Sequence, residues 1–181
     1  MSKTGELANA VGYYRGLLEA AWADDTAHAE YRPLPETMPV SYGQCVPSSC
    51  VLIRELRQDF PYEPFALCGG RVLKASIVAG KAALIPIIKS HVWIGWQRPR
   101  LIEAGVIDAT SDQAENGVLP PYVVATHDQL NNRGVAYHAC GGEHGGVYPE
   151  TEGLIGHLSQ QEPNVRERIA ILQTRFDRLK R

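Results

Sequence analysis

Between Phe65 and Asp108 the chain reads as strand after strand with no helical stretch between them, and this run limits the fold more than any other feature. Residues 65–68 lead to a Gly69-Gly70 turn and a strand over 71–78; further strands are expected over 83–88, 90–96 and 100–108. The segments are short, rich in β-branched and aromatic residues, and separated by turn formers. Parallel neighbours would each need a crossover of a dozen residues or so, and the spacing leaves no room for one. The sheet is therefore expected to be antiparallel, and with helices before and after it the class is α+β.

Two helical patterns precede the strands. Leu7, Val11, Tyr14, Leu18 and Ala21 or Trp22 recur at three- and four-residue spacing within residues 4–29. Residues 31–39 hold three prolines and read as an extended loop. A second helix is expected over 46–58, with Pro47 tolerated in its first turn and Val51, Leu52, Leu56 and Phe60 turned inward. After Asp108 the sequence is loop-rich, with Pro120-Pro121, Asn131-Asn132-Arg133-Gly134 and the stretch 140–146; a last amphipathic helix is expected over 164–179. At 181 residues the chain is read as a single domain, with an N-terminal helix in 1–30, a core in 42–113, and a loop-rich segment and helix in 114–181.

Charge and composition exclude several classes. The net charge is -2 and the apolar share 44%, enough for a real core without a basic footprint for nucleic acid. The basic residues near the C-terminus alternate with Ile, Leu and Phe and read as the solvated face of a helix. Nothing at the start has an apolar signal-peptide core, and no apolar stretch approaches the ~18 residues that span a bilayer. A cytoplasmic protein without membrane contact is expected, and Cys45, Cys50, Cys68 and Cys140 are then expected as free thiols.

The chemistry centres on Tyr42-Gly43-Gln44-Cys45. A thiol has a reference pKa of about 8.5 and becomes a good nucleophile only when a base or a helix N-terminus makes it a thiolate. Cys45 stands at a helix start, where free amides and the helix dipole favour negative charge. Gly43 permits the tight entry turn. His91 opens one strand and Asp108 ends the next, so a sheet would present an imidazole to the sulfur with a carboxylate behind it. Gln44 and the Cys45 backbone N–H are the candidate oxyanion donors. Tyr42 and Trp93 are the candidate substrate-binding residues; Trp93, two residues after His91, would also shield the pair from water.

Taken in order, Ala21-Trp22-Ala23-Asp24-Asp25-Thr26, Gly43-Gln44-Cys45, His91-Val92-Trp93 and Asp108-Ala109-Thr110-Ser111-Asp112-Gln113 resemble the motifs of the small bacterial YunG-like family. That family is similar to the transglutaminase-like branch of papain-fold thiol enzymes. The resemblance covers residues 18–113; Ile94 stands where the family usually has asparagine, and Pro47 where it usually has a small residue. It implies a papain-like or transglutaminase-like core in which the cysteine helix packs on the antiparallel sheet, with Cys45, His91 and Asp108 as the triad.

The leading expectation is thus a thiol-dependent acyl-transfer enzyme acting on a peptide or protein amide, without a cofactor; water as acceptor gives hydrolysis or deamidation, an amine gives transamidation. The alternative is a catalytically inactive protein of the same fold that binds or regulates. A third reading is a metal-stabilised module through His138, Cys140 and His144, although no Cys-x-x-Cys pair supports it and the expected metal set is none. Asp112 reads as a turn residue that could replace Asp108 as the orienting acid.

Overall fold

The computed structural model describes residues 3–33, 36–97, 104–114, 117–140 and 144–181. Among these residues lie five α-helices and six strands, arranged as an α+β fold around one antiparallel sheet. Helix α1 (Lys3–Ala21) buries Leu7, Val11, Tyr14 and Leu18 at the spacing that predicted it. It stops at Ala21, earlier than expected, and residues 24–26 and 29–31 form short 3-10 turns instead. Helix α2 (Cys45–Asp59) begins with the cysteine itself. Pro47 occupies the third helical position, where a missing N–H breaks no intrahelical bond.

Strands β1 (Phe65–Val78) and β2 (Lys81–Gln97) form one long antiparallel hairpin. The expected turn at Gly69-Gly70 is not there. Both glycines lie inside β1 because neighbouring backbone passes too close for a side chain. A Cβ on Gly69 would fall 1.7 Å from the His144 carbonyl oxygen, and one on Gly70 would fall 2.0 Å from that of His138. The chain reverses at Ala79-Gly80, both at positive φ as a two-residue hairpin turn requires. The two segments expected over 83–88 and 90–96 are one strand, kinked by two register shifts between Gly70 and Leu73 of β1. β2 supplies the extra residue at each shift, immediately before His91.

Strand β3 (Ala104–Asp108) pairs with the far end of β2; the first four residues expected in it, 100–103, lie outside the described residues, as do 34–35 and 141–143 of two expected loops. The segment expected to be loop-rich contains β4 (Val123–Thr126), α3 (His127–Asn131), β5 (Val135–His138), β6 (Gly146–Tyr148) and α4 (Thr151–Leu158). The sheet order is β4-β3-β2-β1-β5, with β6 also on β1. Helix α5 (Val165–Leu179) closes the chain.

The sheet has a core on each side. Val92, Ile94, Trp96 and Ile107 pack with α1, α2, α4 and α5, while Trp93, Val106, Val123, Val135 and Tyr137 pack on the opposite face. Alternating residues of β2 feed the two cores, as a strand buried on both faces must. No described helix is long and apolar enough to cross a membrane.

Candidate active site

The N-terminus of α2 meets the middle of β2, and the two elements bring Cys45 and His91 together. Gly43, at φ 72°, turns the chain into the helix; a Cβ there would meet the Tyr31 ring at 2.9 Å. No side chain caps the helix, so the first-turn amides of Cys45 and Val46 stand at the positive end of the dipole. Ser49 Oγ donates to the Val92 carbonyl at 3.0 Å and fixes the helix against the strand one residue past His91.

His91 and Asp108 are fully buried and bonded, Nε2 to Oδ2, at 2.7 Å. The other ring nitrogen, Nδ1, makes no hydrogen bond, which leaves it as the nitrogen free to serve Cys45. Asp108 also accepts from the Thr110 N–H at 2.9 Å, from Thr110 Oγ1 at 3.2 Å and from the Tyr137 hydroxyl at 2.8 Å. Burial raises the Asp108 carboxyl, but the His91 charge and these donors more than offset it and the net shift is downward. Burial works against the His91 cation, yet Asp108 and Cys45 outweigh it and raise the imidazole. For Cys45 burial opposes ionisation, while the adjacent His91 imidazolium, the Val92 N–H and the charge of Arg168 lower the thiol overall. The three shifts agree: the arrangement favours thiolate, imidazolium and carboxylate.

Trp93 is 2% exposed and lies behind the site, not in the cavity wall. It stacks on His91 with ring centroids 6.3 Å apart and meets Tyr137 edge-on at 5.2 Å, so it shields the pair and cannot reach a substrate. Gln44 also departs from its expected role: its side chain is buried and its amide nitrogen donates to the Ala23 carbonyl at 3.1 Å. Cys45 and Val46, whose first-turn amides no side chain caps, both line the cavity. Tyr42 does line that cavity, its ring 4.7 Å from Tyr31. Asp112 is no substitute for Asp108, because it pairs with Arg15 at 2.9 Å and accepts from Ser41 Oγ at 2.5 Å.

Three residues outside the motifs complete the site. Tyr137 comes from β5, in the segment read as loop. Arg15, buried on α1, donates to the carbonyls of Ala109 and Pro121 and to Asp112, which ties down the turn that follows Asp108. Arg168 on α5 was read with the solvated face of its helix, yet it is 1% exposed. It donates to the Thr26 carbonyl at 3.0 Å and the Gly43 carbonyl at 3.2 Å, and it is ion-paired with Glu162. No motif signals Arg15 or Arg168; each stands on the buried stripe of its helix, and that position was the one available clue.

Comparison with known proteins leaves these residues to speak for themselves. No family model, curated protein or solved structure matches the chain.

Cys45 opens onto a cavity of about 1040 Å³ bounded by residues 37–39, the start of α2, residues 86–90 of β2, the 112–114 turn, His144 and Arg168. The other cysteines are differently placed. Burial pushes Cys50 up to about 12 and Cys68 up to about 11, and all four thiols are free. The exposed Cys140 Sγ lies 3.1 Å from His138 Nδ1, while His144 is buried against Gly69. Among the described residues no three His, Cys, Asp or Glu side chains gather as metal ligands.

Proposed function

We propose that this protein is a thiol-dependent acyl-transfer enzyme acting on amide bonds, built on a papain-like, transglutaminase-like core. One observation carries the reading. An imidazole is held by a buried carboxylate through one nitrogen, its other nitrogen is left for a cysteine at an uncapped helix N-terminus, and that cysteine borders a cavity. A merely structural cysteine needs none of these features.

The chemistry follows from the positions. The Cys45 thiolate attacks the amide carbonyl carbon, and the C–O electron pair moves onto oxygen facing the Cys45 and Val46 N–H groups. His91 Nδ1 gives its proton to the leaving nitrogen as the C–N bond breaks, leaving a thioester. His91, now neutral, takes a proton from the incoming water or amine as it attacks the thioester carbon; the C–S bond then breaks, the acyl product leaves, and the thiolate–imidazolium pair is restored. Asp108 stays ionised throughout and holds the ring, its other donors keeping the proton on His91.

The test is the pH dependence of Cys45 alkylation by iodoacetamide, followed by peptide mass spectrometry in the wild type and in His91→Ala. The expected result is rapid modification well below pH 8, selective over Cys50, Cys68 and Cys140, and lost in the variant. A thiol that titrates as an ordinary one in both proteins would leave a binding protein on the same scaffold as the better account.

A further inference from the structure

The cavity beside Cys45 has a sign. All charged residues from Phe65 to Gln97 are cationic: Arg71, Lys74, Lys81 and Lys89. Two of them, Arg71 and Lys89, are exposed and line the cavity on the side of the β1–β2 hairpin. The buried Arg168 lines it as well. Among the described lining residues the carboxylates are Glu30 and Asp112. Asp112 is already engaged by Arg15 and Ser41, and the Glu30 side chain is 77% exposed beside His28. A cleft with apolar walls and cations of one sign focuses its field on an anionic ligand.

The shape is as informative as the charge. Residues 86–90 of β2 form a wall that ends at His91; the two bulges set this segment opposite Gly70 to Leu73 of β1, so the wall is roughly 10 Å long. Ile87 and Ile88 from this wall line the cavity together with Met38 and Pro39, which suits an extended chain with some apolar side chains. Regular strand addition is not the device here, because Pro86 and the two bulges interrupt the ladder a second strand would need. Side chains must do the recognising.

We infer that the cleft receives an acidic, extended segment of a polypeptide whose carboxylates meet Arg71 and Lys89. That the reacting amide lies at Cys45 rests on the acyl-transfer reading above; the docking itself does not.

The experiment uses the full chain carrying Cys45→Ser, so that turnover contributes nothing. The probe is a fluorescein-labelled dodecapeptide alternating Glu with Val around a central Gln, measured by fluorescence anisotropy against the same peptide with Lys in place of Glu. The Glu peptide is expected to bind, to weaken as salt rises, and to lose about tenfold in affinity in Arg71→Glu/Lys89→Glu. The double variant Lys74→Glu/Lys81→Glu makes the same change in net charge farther along the hairpin, away from the cavity, and is expected to shift affinity less than twofold. Equal loss from both double variants, equal binding of both peptides, no binding at millimolar peptide, or tighter binding of a single-stranded dodecathymidylate would each overturn the inference. An ordinary Cys45 thiol would sink the enzyme reading and leave these affinities unchanged, so the two failures are distinguishable.

Discussion

Arg15→Met tests how the orienting carboxylate is held in place. Arg15 is 4% exposed, and its guanidinium lies over the Trp22 ring at 4.5 Å. It bridges α1 to the turn after β3 through Asp112 at 2.9 Å, the Pro121 carbonyl at 2.6 Å and the Ala109 carbonyl, one residue past Asp108. Methionine fills the volume of the side-chain stem but takes the donor from two carbonyls and the charge partner from Asp112, which keeps Ser41 Oγ, in a largely buried place. Breaking a buried charge pair in this way costs about 3–5 kcal/mol. For a chain of this size that lowers Tm by about 6–20 °C. Arg15→Lys keeps the charge but cannot reach several acceptors at once, so it should fall between the two. Glu19→Gln removes the exposed partner of Arg15 and should cost less than about 1 kcal/mol. Urea unfolding of the four proteins measures the series, and Cys45 alkylation measures its effect on the site. If the turn holds Asp108, Arg15→Lys also loses part of the fast reaction below pH 8, although Arg15 touches neither Cys45 nor His91. A loss below about 1 kcal/mol in Arg15→Met, or one no larger than that of Glu19→Gln, would refute the argument.

Four further outcomes follow from single residues. Tyr137→Phe removes one of the donors to Asp108, so the carboxyl protonates more easily and acid unfolding, followed by circular dichroism, should begin at a higher pH than in the wild type. Arg168→Met takes away a cation that lowers Cys45; the midpoint of Cys45 alkylation should move to higher pH, and an unmoved midpoint would remove Arg168 from the site's electrostatics. Gly69→Ala should cost several kcal/mol and much of the folded yield, because its Cβ would overlap the His144 backbone. Gly16→Ala, on the exposed face of α1 with nothing within 4 Å of the new Cβ, should instead gain about 0.5–1 kcal/mol in urea unfolding.

The parts of the fold that could be read from the sequence are those whose periodicity runs long enough to stand out. The stripe of α1, the Pro47 start of α2 and the amphipathic α5 each repeat their pattern over several turns. β4, β5 and β6 are three or four residues long, too short for alternation to be told from loop. Gly69-Gly70 was misread for a physical reason: glycine pairs signal turns, yet a backbone pressed against a strand demands glycine as well. The true hairpin turn, Ala79-Gly80, lacks the Asn or Asp that usually marks one. At the site, short motifs were enough to name Cys45, His91 and Asp108. What supports them comes from residues far away in the chain, Arg15, Tyr137 and Arg168. Their burial is set by tertiary packing that no local pattern records.

The buried pair also shapes stability against pH, and the sign can be worked out group by group. Asp108 is lowered from its ordinary 3.8, so its contribution is complete above that value and is lost as pH falls through its folded pKa. His91 is raised from 6.5, so its contribution is complete below 6.5 and declines as pH rises toward the folded pKa. Cys45 is lowered from 9.0, so its contribution grows from the folded pKa upward and is complete only above 9.0. Where the folded pair is thiolate and imidazolium between 6.5 and 9.0, the His91 loss and the Cys45 gain have equal and opposite slopes, since folded and unfolded chains then each hold one proton on the pair. Stability from this site is therefore level across that range and falls on both sides. Above 9.0 the unfolded thiol is ionised and the raised His91 alone sets the slope. The difference in urea stability between wild type and His91→Gln, taken from pH 5 to 9.5, should show this plateau and both shoulders. A difference that rises steadily through pH 9.5, or shows no acid shoulder, would mean that Cys45 and His91 do not share a proton in the folded state.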